Sequence, residues 1–272
     1  MRVPVSVVVF AAHPDDADIK AGGTTALWAE RGDRVLFVSL TNGDAGHQEM
    51  AGAALARRRR AEAEAAAAVL GARVTVLDHH DGELQPTLDL RREVIRIIRE
   101  ARADLVLLPR PWDYHPDHRA TSQVVQDAAY MVTVPNALPS APHMARNPVF
   151  AFVEDGFTRP CPFLPDIAVD ISAVTDRKVR ALHCHASQMY EWLPYNGGRL
   201  GEVPAQESER LAWLSGERLA ADARTAQQAR SALARFYRDR AQAVSHAEAF
   251  EICELGARPA DVELATLFPV PA

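Results

Sequence analysis

The sequence has few cysteines. Only three of its 272 residues are cysteine, at Cys161, Cys184 and Cys253, and no two of them form a C-x-x-C pair. An odd number of widely spaced cysteines argues against a disulfide framework and against a zinc site built on thiolates. We therefore expect a protein of the reducing cytoplasm.

Long apolar runs and an excess of basic charge are also missing. No apolar stretch approaches the length that a membrane span requires. The formal net charge is −6, so the electrostatic footprint of a nucleic-acid-binding protein is absent. The apolar start that ends at Ala12 imitates a secretory leader only weakly, and cleavage there would remove the first predicted strand. We expect no leader, no membrane span and no nucleic-acid partner, which leaves a small molecule as the partner.

The first half of the chain alternates regularly between strand and helix patterns. Apolar strand patterns lie at 5–11, 34–40, 73–77, 104–109 and 149–153. This alternation predicts an α/β fold with a Rossmann-like, mostly parallel sheet and helices on both faces. We expect a single domain over 1–272, with a core at about 5–254 that includes an inserted loop at 132–148. The C-terminal tail, 255–272, is expected to lie over the surface.

Two short polar segments follow buried strands of the predicted sheet. His13-Pro14-Asp15-Asp16 follows the first strand, and His115-Pro116-Asp117-His118 follows the fourth. Both segments lie at the carboxyl edge of a parallel sheet, where ligands bind. Imidazole and carboxylate groups suit a borderline metal such as zinc, and three of them with an open position make a catalytic site. The alternative is two unrelated turns, with Asp15 or Asp16 capping a helix.

In combination, these segments resemble the PIG-L (LmbE-like) family of zinc-dependent deacetylases. The residues that carry the resemblance are 12–16, 22–24 (Gly-Gly-Thr), 41–44, 114–120 and 178–188. The resemblance covers about residues 5–254. It implies a hydrolase that removes the acetyl group from an N-acetylated amino sugar of the N-acetylglucosamine type, or from its conjugate.

The resemblance also implies a metal centre and a general base. His13, Asp16 and His118 would bind Zn²⁺, although two histidines and a carboxylate also suit Fe²⁺. Asp15 would lie beside the metal without binding it, and would take the proton of the attacking water. Water activated by zinc would then attack the N-acyl bond.

His115 and Asp117 would serve the other half of the reaction, again by the resemblance. His115 would stabilise the oxyanion and protonate the amine, which is otherwise a poor leaving group. Asp117 would orient or tune His115. A base and an acid that act in opposite protonation states predict a bell-shaped pH dependence of activity.

Four further residues are candidates for substrate binding. Arg60 and Asp44 match positions where the family places substrate-binding groups, although a salt bridge on the helix surface explains Arg60 equally well. Tyr114 could lend its hydroxyl to the oxyanion or pack at the rim of the site. His185 could contact substrate or be a buried core histidine.

Other functions remain open at this stage. The same site could be an amidase that acts on a non-sugar N-acyl substrate. A nucleotide-binding module is a different class, but Gly22-Gly23 lies within a predicted helix and no G-x-G-x-x-G motif follows the first strand. A metal-binding protein without catalysis would not need Asp15 and His115.

Trp192 and Tyr195 suit a loop over the pocket. The sequence leaves open the identity of the substrate and the oligomeric state, including a homo-oligomer.

Overall fold

The computed structural model describes residues 2–271. In this range the strands are β1 (Ser6–Ala11), β2 (Arg34–Thr41), β3 (Arg73–His79), β4 (Leu105–Leu108), β5 (Val149–Val153), β6 (Ile167–Asp170) and β7 (Ala247–Cys253). The helices are α1 (Asp16–Glu30), α2 (Gly52–Leu70), α3 (Leu88–Ala101), α4 (Pro116–Met131), α5 (Thr175–Cys184), α6 (Leu193–Asn196), α7 (Glu207–Gln228), α8 (Arg230–Tyr237) and α9 (Asp261–Leu267). A π-helix, Ser187–Trp192, precedes α6. Among these described helices, none is both long enough and apolar enough to cross a membrane.

The seven strands form one sheet in the order β3-β2-β1-β4-β5-β7-β6. The first five strands of that order run parallel to one another, and β7 pairs antiparallel with both β5 and β6. The predicted mostly parallel sheet is therefore confirmed. The sequence analysis missed β6 because this strand has only four residues and follows an irregular, proline-rich segment.

Helices cover both faces of the sheet. Along β1, Val7 and Val9 lie in one hydrophobic core, and Val8 and Phe10 lie in the other. All four side chains are nearly inaccessible to solvent. A strand that is apolar at every position is typical of a parallel sheet buried on both sides. This arrangement makes β1 a rigid support for the residues that follow it.

The sequence analysis expected the C-terminal tail to lie over the surface. In the structure, buried residues of the tail anchor it to the core. Phe268 is fully buried, with its ring centroid 5.8 Å from that of Trp28 and 5.1 Å from that of Phe250. The indole N–H of Trp28 donates a hydrogen bond to the carbonyl of Leu267 over 2.8 Å. The expectation failed because prolines around the segment hide a short helix that packs through only a few apolar residues.

The Gly-Gly-Thr motif lies at a bend in α1. Ala21 leaves helical geometry at φ −139° and ψ 15°, so the following N–H groups turn away from the helix. The N–H groups of Gly23 and Thr24 donate instead to the carboxylate of Glu248 in β7, over 2.8 and 2.7 Å. A Cβ atom at Gly23 would lie 2.8 Å from Ile171, so only glycine fits. The motif therefore serves the close packing of α1 on the sheet.

A buried ion cluster holds this bend. The ammonium group of Lys178 lies 2.8 Å from Glu248 and 2.7 Å from Asp222. Burial alone would lower the pKa of Lys178, but the two carboxylates outweigh it and raise the pKa. Lys178 thus stays charged and ties α5, α7 and β7 to the bend of α1.

Replacing Glu248 by glutamine is expected to destabilise the fold by about 3–5 kcal/mol, because it leaves Lys178 without one of its two buried counter-charges. Urea unfolding followed by circular dichroism measures this loss. Glu254→Gln is the control, since Glu254 is exposed and pairs only with Arg258. The control is expected to change stability by less than about 0.5 kcal/mol. Equal stability of the two variants would contradict the structural role of Glu248.

Candidate active site

Polar side chains from three loops meet at the carboxyl edge of the sheet. The turn after β1 provides His13, Asp15 and Asp16, and the loop after β4 with the start of α4 provides 113–118. The loop after β3 adds Asp81. The two polar segments predicted to share this edge therefore lie together, as parallel strand topology requires.

The three predicted metal ligands form a compact triangle of ligand atoms. His13 Nδ1 lies 3.2 Å from His118 Nε2 and 3.3 Å from Asp16 Oδ2. His118 Nε2 and Asp16 Oδ2 are also 3.3 Å apart. Ligands of a tetrahedral zinc ion with bonds of about 2.0–2.1 Å lie about 3.3 Å from one another. The donor set and its spacing therefore fit a divalent ion that keeps one position open.

A carboxylate stands behind each of the two histidines. His13 Nε2 lies 3.0 Å from Asp81 Oδ1, and His118 Nδ1 lies 3.1 Å from Asp113 Oδ2. Histidines that bind metals usually donate their other ring N–H to such a partner, which fixes the ring and raises its basicity. The sequence analysis missed both acids. The available signal was their place after strands β3 and β4, within segments rich in polar residues.

The electrostatics of this cluster favour positive charge. Burial lowers the pKa of His13, but the carboxylates of Asp117, Asp16 and Asp81 around its ring raise the pKa well above its ordinary value. Burial likewise opposes the charged form of His118, yet its acidic neighbours, Asp16 first, raise its pKa to about 9. The two histidines in turn hold the pKa of Asp16 well below its usual range. The carboxylates thus make the electrostatic potential of the site negative, which favours binding of a cation.

A second grouping of metal-binding atoms uses the other nitrogen of His13 with Asp81 and Asp117. Asp117 Oδ2 lies 3.6 Å from that nitrogen. Asp117 already accepts hydrogen bonds from the N–H groups of Gly82 and Leu84, over 2.7 and 3.2 Å. Both oxygens of Asp117 are engaged with the backbone, whereas in Asp16 only Oδ2 is, through the N–H of His13 over 2.8 Å, so this grouping is the weaker candidate for a metal.

Asp15 does not cap α1. It occupies the N-cap position, but its side chain makes no capping hydrogen bond. Its carboxylate instead accepts a 2.6 Å hydrogen bond from Arg59, and both side chains are buried. A second guanidinium nitrogen of Arg59 donates to the carbonyl of Gly43. The capping alternative for Asp15 is therefore wrong, and Arg59 is a site residue that the sequence analysis missed.

Arg60, predicted as a substrate-binding residue, does not reach the site. It lies on the exposed side of α2, whereas its neighbour Arg59 points inward. Successive residues of an α-helix are rotated by about 100°, so a shift of one position moves a side chain off the site. Arg59, rather than Arg60, is thus the arginine of this run that contacts Asp15, and a substrate-binding role for Arg60 stays a prediction.

His115 begins α4 and lies against His13. Its Nδ1 accepts a hydrogen bond from the backbone N–H of Asp117 over 3.2 Å, and its ring centroid is 4.5 Å from that of His13. Burial and the charges at His13 and His118 lower the pKa of His115. The sequence analysis expected Asp117 to orient His115. The backbone N–H of Asp117 makes this contact, whereas the carboxylate of Asp117 accepts hydrogen bonds from the 82–84 loop.

Asp44 and His185 lie behind the site. Asp44 accepts a hydrogen bond from the N–H of Asp81 over 3.0 Å and contacts His80 over 2.7 Å, so it shapes the loop that carries Asp81. His185 is buried, with Nε2 3.2 Å from Asp18. Neither side chain is placed for direct contact with a substrate, and His185 is a buried histidine with its own partner.

Tyr114 lies on the surface of the site. Its side chain is 70% exposed, and its ring centroid lies 5.7 Å from those of both His115 and His118. Phe157 packs on its other side at 6.4 Å. Of the four predicted substrate-binding residues, Tyr114 is thus the one that is open to an incoming molecule.

The sequence of this chain is similar to a known protein family and to characterised proteins. Residues 8–129 match the family model described as PIG-L: GlcNAc-PI de-N-acetylase. A diacetylchitobiose deacetylase of Thermococcus kodakarensis is 34% identical over 206 residues, which cover 70% of this chain and 74% of that protein. A 4-oxalmesaconate hydratase of Pseudomonas putida is 32% identical over 200 residues, which cover 70% and 76% of the two chains.

The fold also matches a solved structure. The N,N′-diacetylchitobiose deacetylase from Pyrococcus horikoshii superimposes with a TM-score of 0.71 at 23% identity, and the match covers 92% of this chain and 84% of that chain. At this level of identity the likeness concerns the fold. The relatives with sequence similarity therefore include two kinds of chemistry, amide hydrolysis and hydration.

Proposed function

This chain belongs to the PIG-L family, and on that basis we propose that it is a metal-dependent hydrolase that deacetylates an N-acetylated amino sugar or its conjugate. The observation that carries this proposal is the triangle of His13 Nδ1, Asp16 Oδ2 and His118 Nε2. The name of the Thermococcus relative, diacetylchitobiose deacetylase, states a reaction of this kind.

We assign His13, Asp16 and His118 as the ligands of a divalent ion, with zinc as the first choice and iron(II) as the alternative. Such an ion, when bound, would lower the pKa of water and polarise the amide oxygen. Asp81 and Asp113 would hold the two imidazoles in the orientation that exposes the ligand nitrogens.

Asp15 is the residue that would take the proton of the attacking water. It is the sequence neighbour of Asp16, and its carboxylate is held by Arg59, whose guanidinium group also lies 3.5 Å from Asp81. Arg59 binds one of its oxygens over 2.6 Å, which fixes the carboxylate in one orientation. A fixed carboxylate next to a water molecule is a suitable general base.

His115 would act on the other side of the scissile bond. Its Nδ1 accepts the N–H of Asp117, so the ring proton of the neutral imidazole lies on Nε2. An Nε2–H group can donate to the oxygen that becomes negative in the transition state. A neutral imidazole is a weak acid, so protonation of the amine, which the sequence analysis gave to His115, is assigned here to Asp15. The proton that Asp15 takes from water would pass to the amide nitrogen as the C–N bond breaks, and acetate and free amine are the products.

The hydratase among the relatives supports a second candidate. Its name states addition of water to an unsaturated acid, and the similarity covers 76% of its length. The same base could activate water for that addition, so this candidate has to be tested beside hydrolysis. An amidase that acts on a non-sugar N-acyl substrate is a further variant of the first proposal.

One assay separates these functions. The protein is stripped of metal with a chelator, reloaded with Zn²⁺ or Fe²⁺, and incubated with N-acetylglucosamine, diacetylchitobiose, small N-acetyl amines and unsaturated dicarboxylic acids. Mass spectrometry then detects free amine or hydrated acid. We expect metal-dependent release of amine from the sugars. Amine release confined to non-sugar amides, or hydration without any deacetylation, would overturn the proposed function.

Arg59→Gln and Arg60→Gln form a matched pair for testing the support of Asp15. Loss of a hydrogen bond to a charged group corresponds to about 1.5–3 kcal/mol, so Arg59→Gln is expected to lower kcat/KM by about 10–100-fold. Arg60→Gln is expected to keep kcat/KM near the wild-type value because Arg60 is exposed. Steady-state kinetics on the best sugar substrate measures both. A larger loss for Arg60→Gln would restore the original assignment.

We also propose that the protein is cytoplasmic. Cys161, Cys184 and Cys253 are all free thiols in the part of the chain that the structure describes. Free, widely spaced cysteines persist in a reducing compartment.

A further inference from the structure

The π-helix Ser187–Trp192 lies beside the candidate active site. A Cβ atom at Gly46 would lie 3.2 Å from the carboxylate of Asp81 and 3.8 Å from the indole nitrogen of Trp192. Trp192 is therefore separated from the carboxylate that supports His13 by about the width of one residue. π-Helices are rare and occur frequently at functional sites.

Polar side chains hold this π-helix in place. Glu191 forms two hydrogen bonds with Arg58 of α2, over 2.5 and 2.8 Å, and contacts His47 over 2.7 Å. Gln188 donates to the carbonyl of Gly46 over 3.0 Å. Because these contacts are made within the protein, little ordering would be required when a ligand binds at the end of the helix.

Trp192 and Tyr195 form a stacked aromatic pair at that end. Their ring centroids are 6.0 Å apart and their planes meet at 27°. Tyr195 is 51% exposed and Trp192 is half-buried. In residues 2–271 the indole N–H of Trp192 donates no hydrogen bond, and its nitrogen is not among the buried unpaired polar atoms, so this donor is open to solvent. The pair thus presents aromatic surface and a free donor next to the site.

We propose that Trp192 and Tyr195 form a stacking platform for a pyranose ring of the substrate, and this proposal rests on the proposed function. The C–H groups on the face of a sugar ring carry partial positive charge and meet the negative face of an aromatic ring. The free indole N–H can donate to a sugar hydroxyl. Hydroxyl-bearing rings satisfy both features at once, whereas a purely apolar ligand would leave the donor unpaired.

The charges around the platform favour a neutral ligand. Glu191 is the acid next to Trp192, and it pairs with Arg58 and His47. The negative charge of Glu191 on the π-helix is therefore balanced by these two partners. A carboxylate or phosphate would therefore gain little at this position, and an uncharged sugar ring fits best.

The test compares two kinds of substrate in three variants. Trp192→Ala and Tyr195→Ala are expected to lower kcat/KM for diacetylchitobiose about tenfold each, mainly through KM. Their activity on N-acetylethanolamine, which has no ring, is expected to stay unchanged. Tyr130→Ala is the control, because Tyr130 is 71% exposed at the far end of α4. Equal losses on both substrates, or no loss on the sugar, would overturn the platform.

A binding measurement separates this proposal from the reaction. Saturation-transfer NMR with diacetylchitobiose, on the metal-loaded protein, reports sugar contact without turnover in an Asp15→Asn background. Loss of the signal on adding Trp192→Ala supports the platform, and an unchanged or absent signal overturns it. If sugar binds through Trp192 while the wild-type protein releases no amine, the platform stands and the proposed reaction fails.

Discussion

Replacing Asp15 by asparagine is expected to lower kcat by about 10²–10⁴-fold, the range typical of a lost general base. The amide has the same shape, and its oxygen still accepts the hydrogen bond from Arg59, so the fold and the metal site are expected to persist. Amine release gives kcat, and elemental analysis of the same sample gives the metal content. Both are needed, because a loss of metal would also reduce turnover.

Asp18→Asn is the matched control for this prediction. Asp18 lies in the first turn of α1, two residues after Asp16. It is buried against His185 and is not part of the ligand triangle. Burial raises the pKa of Asp18 while His185 opposes this shift, so Asp18→Asn alters a buried acid that lies outside the triangle. Near-full turnover of Asp15→Asn with metal bound, or an equal loss in Asp18→Asn, would show that Asp15 is not the base.

Replacing His118 by alanine is expected to remove measurable metal binding and reduce activity to the level of the chelated protein. The substitution deletes one corner of the ligand triangle and leaves two donors, too few for a stable site. Asp113→Asn is expected to have an intermediate effect, a 10–100-fold weaker metal affinity, because it deletes only the partner of the His118 ring. Competition with a chromophoric chelator for Zn²⁺ measures both affinities.

His79→Ala serves as the control of the same residue type. His79 ends β3, is well exposed, and pairs with Glu93. Wild-type metal affinity is expected in this variant. If His118→Ala also bound metal normally, the triangle would be wrong, and the grouping of His13 with Asp81 and Asp117 would become the better site.

The sequence was sufficient to predict that His13, Asp16, His115 and His118 share one edge of a sheet. Each segment follows a run of apolar residues, and strands of a parallel sheet end together. This argument needs only local patterns and the topology that they imply. In the structure, one ring nitrogen of His13, one of His118 and one carboxylate oxygen of Asp16 lie within 3.3 Å of one another.

Local patterns did not identify Asp81, Asp113 and Arg59. Each gains its role from a partner that is distant in sequence, such as Arg59 with Asp15, which are 44 positions apart. Arg59 and Arg60 are chemically identical in the sequence, and only the rotation of α2 decides which one faces Asp15. The same limit applies to β6 and α9, whose short segments are specified by packing against the rest of the sheet.

The bend of α1 makes the start of the chain dependent on its end. Glu248 lies 225 positions after Gly23, and its carboxylate accepts hydrogen bonds from the N–H groups of Gly23 and Thr24. The helix that begins with Asp16 can therefore settle into its final path only when the antiparallel strand near the C-terminus has joined the sheet. Assembly of the reaction centre is thus coupled to completion of folding, and a chain interrupted before β7 would carry every proposed ligand without a finished site.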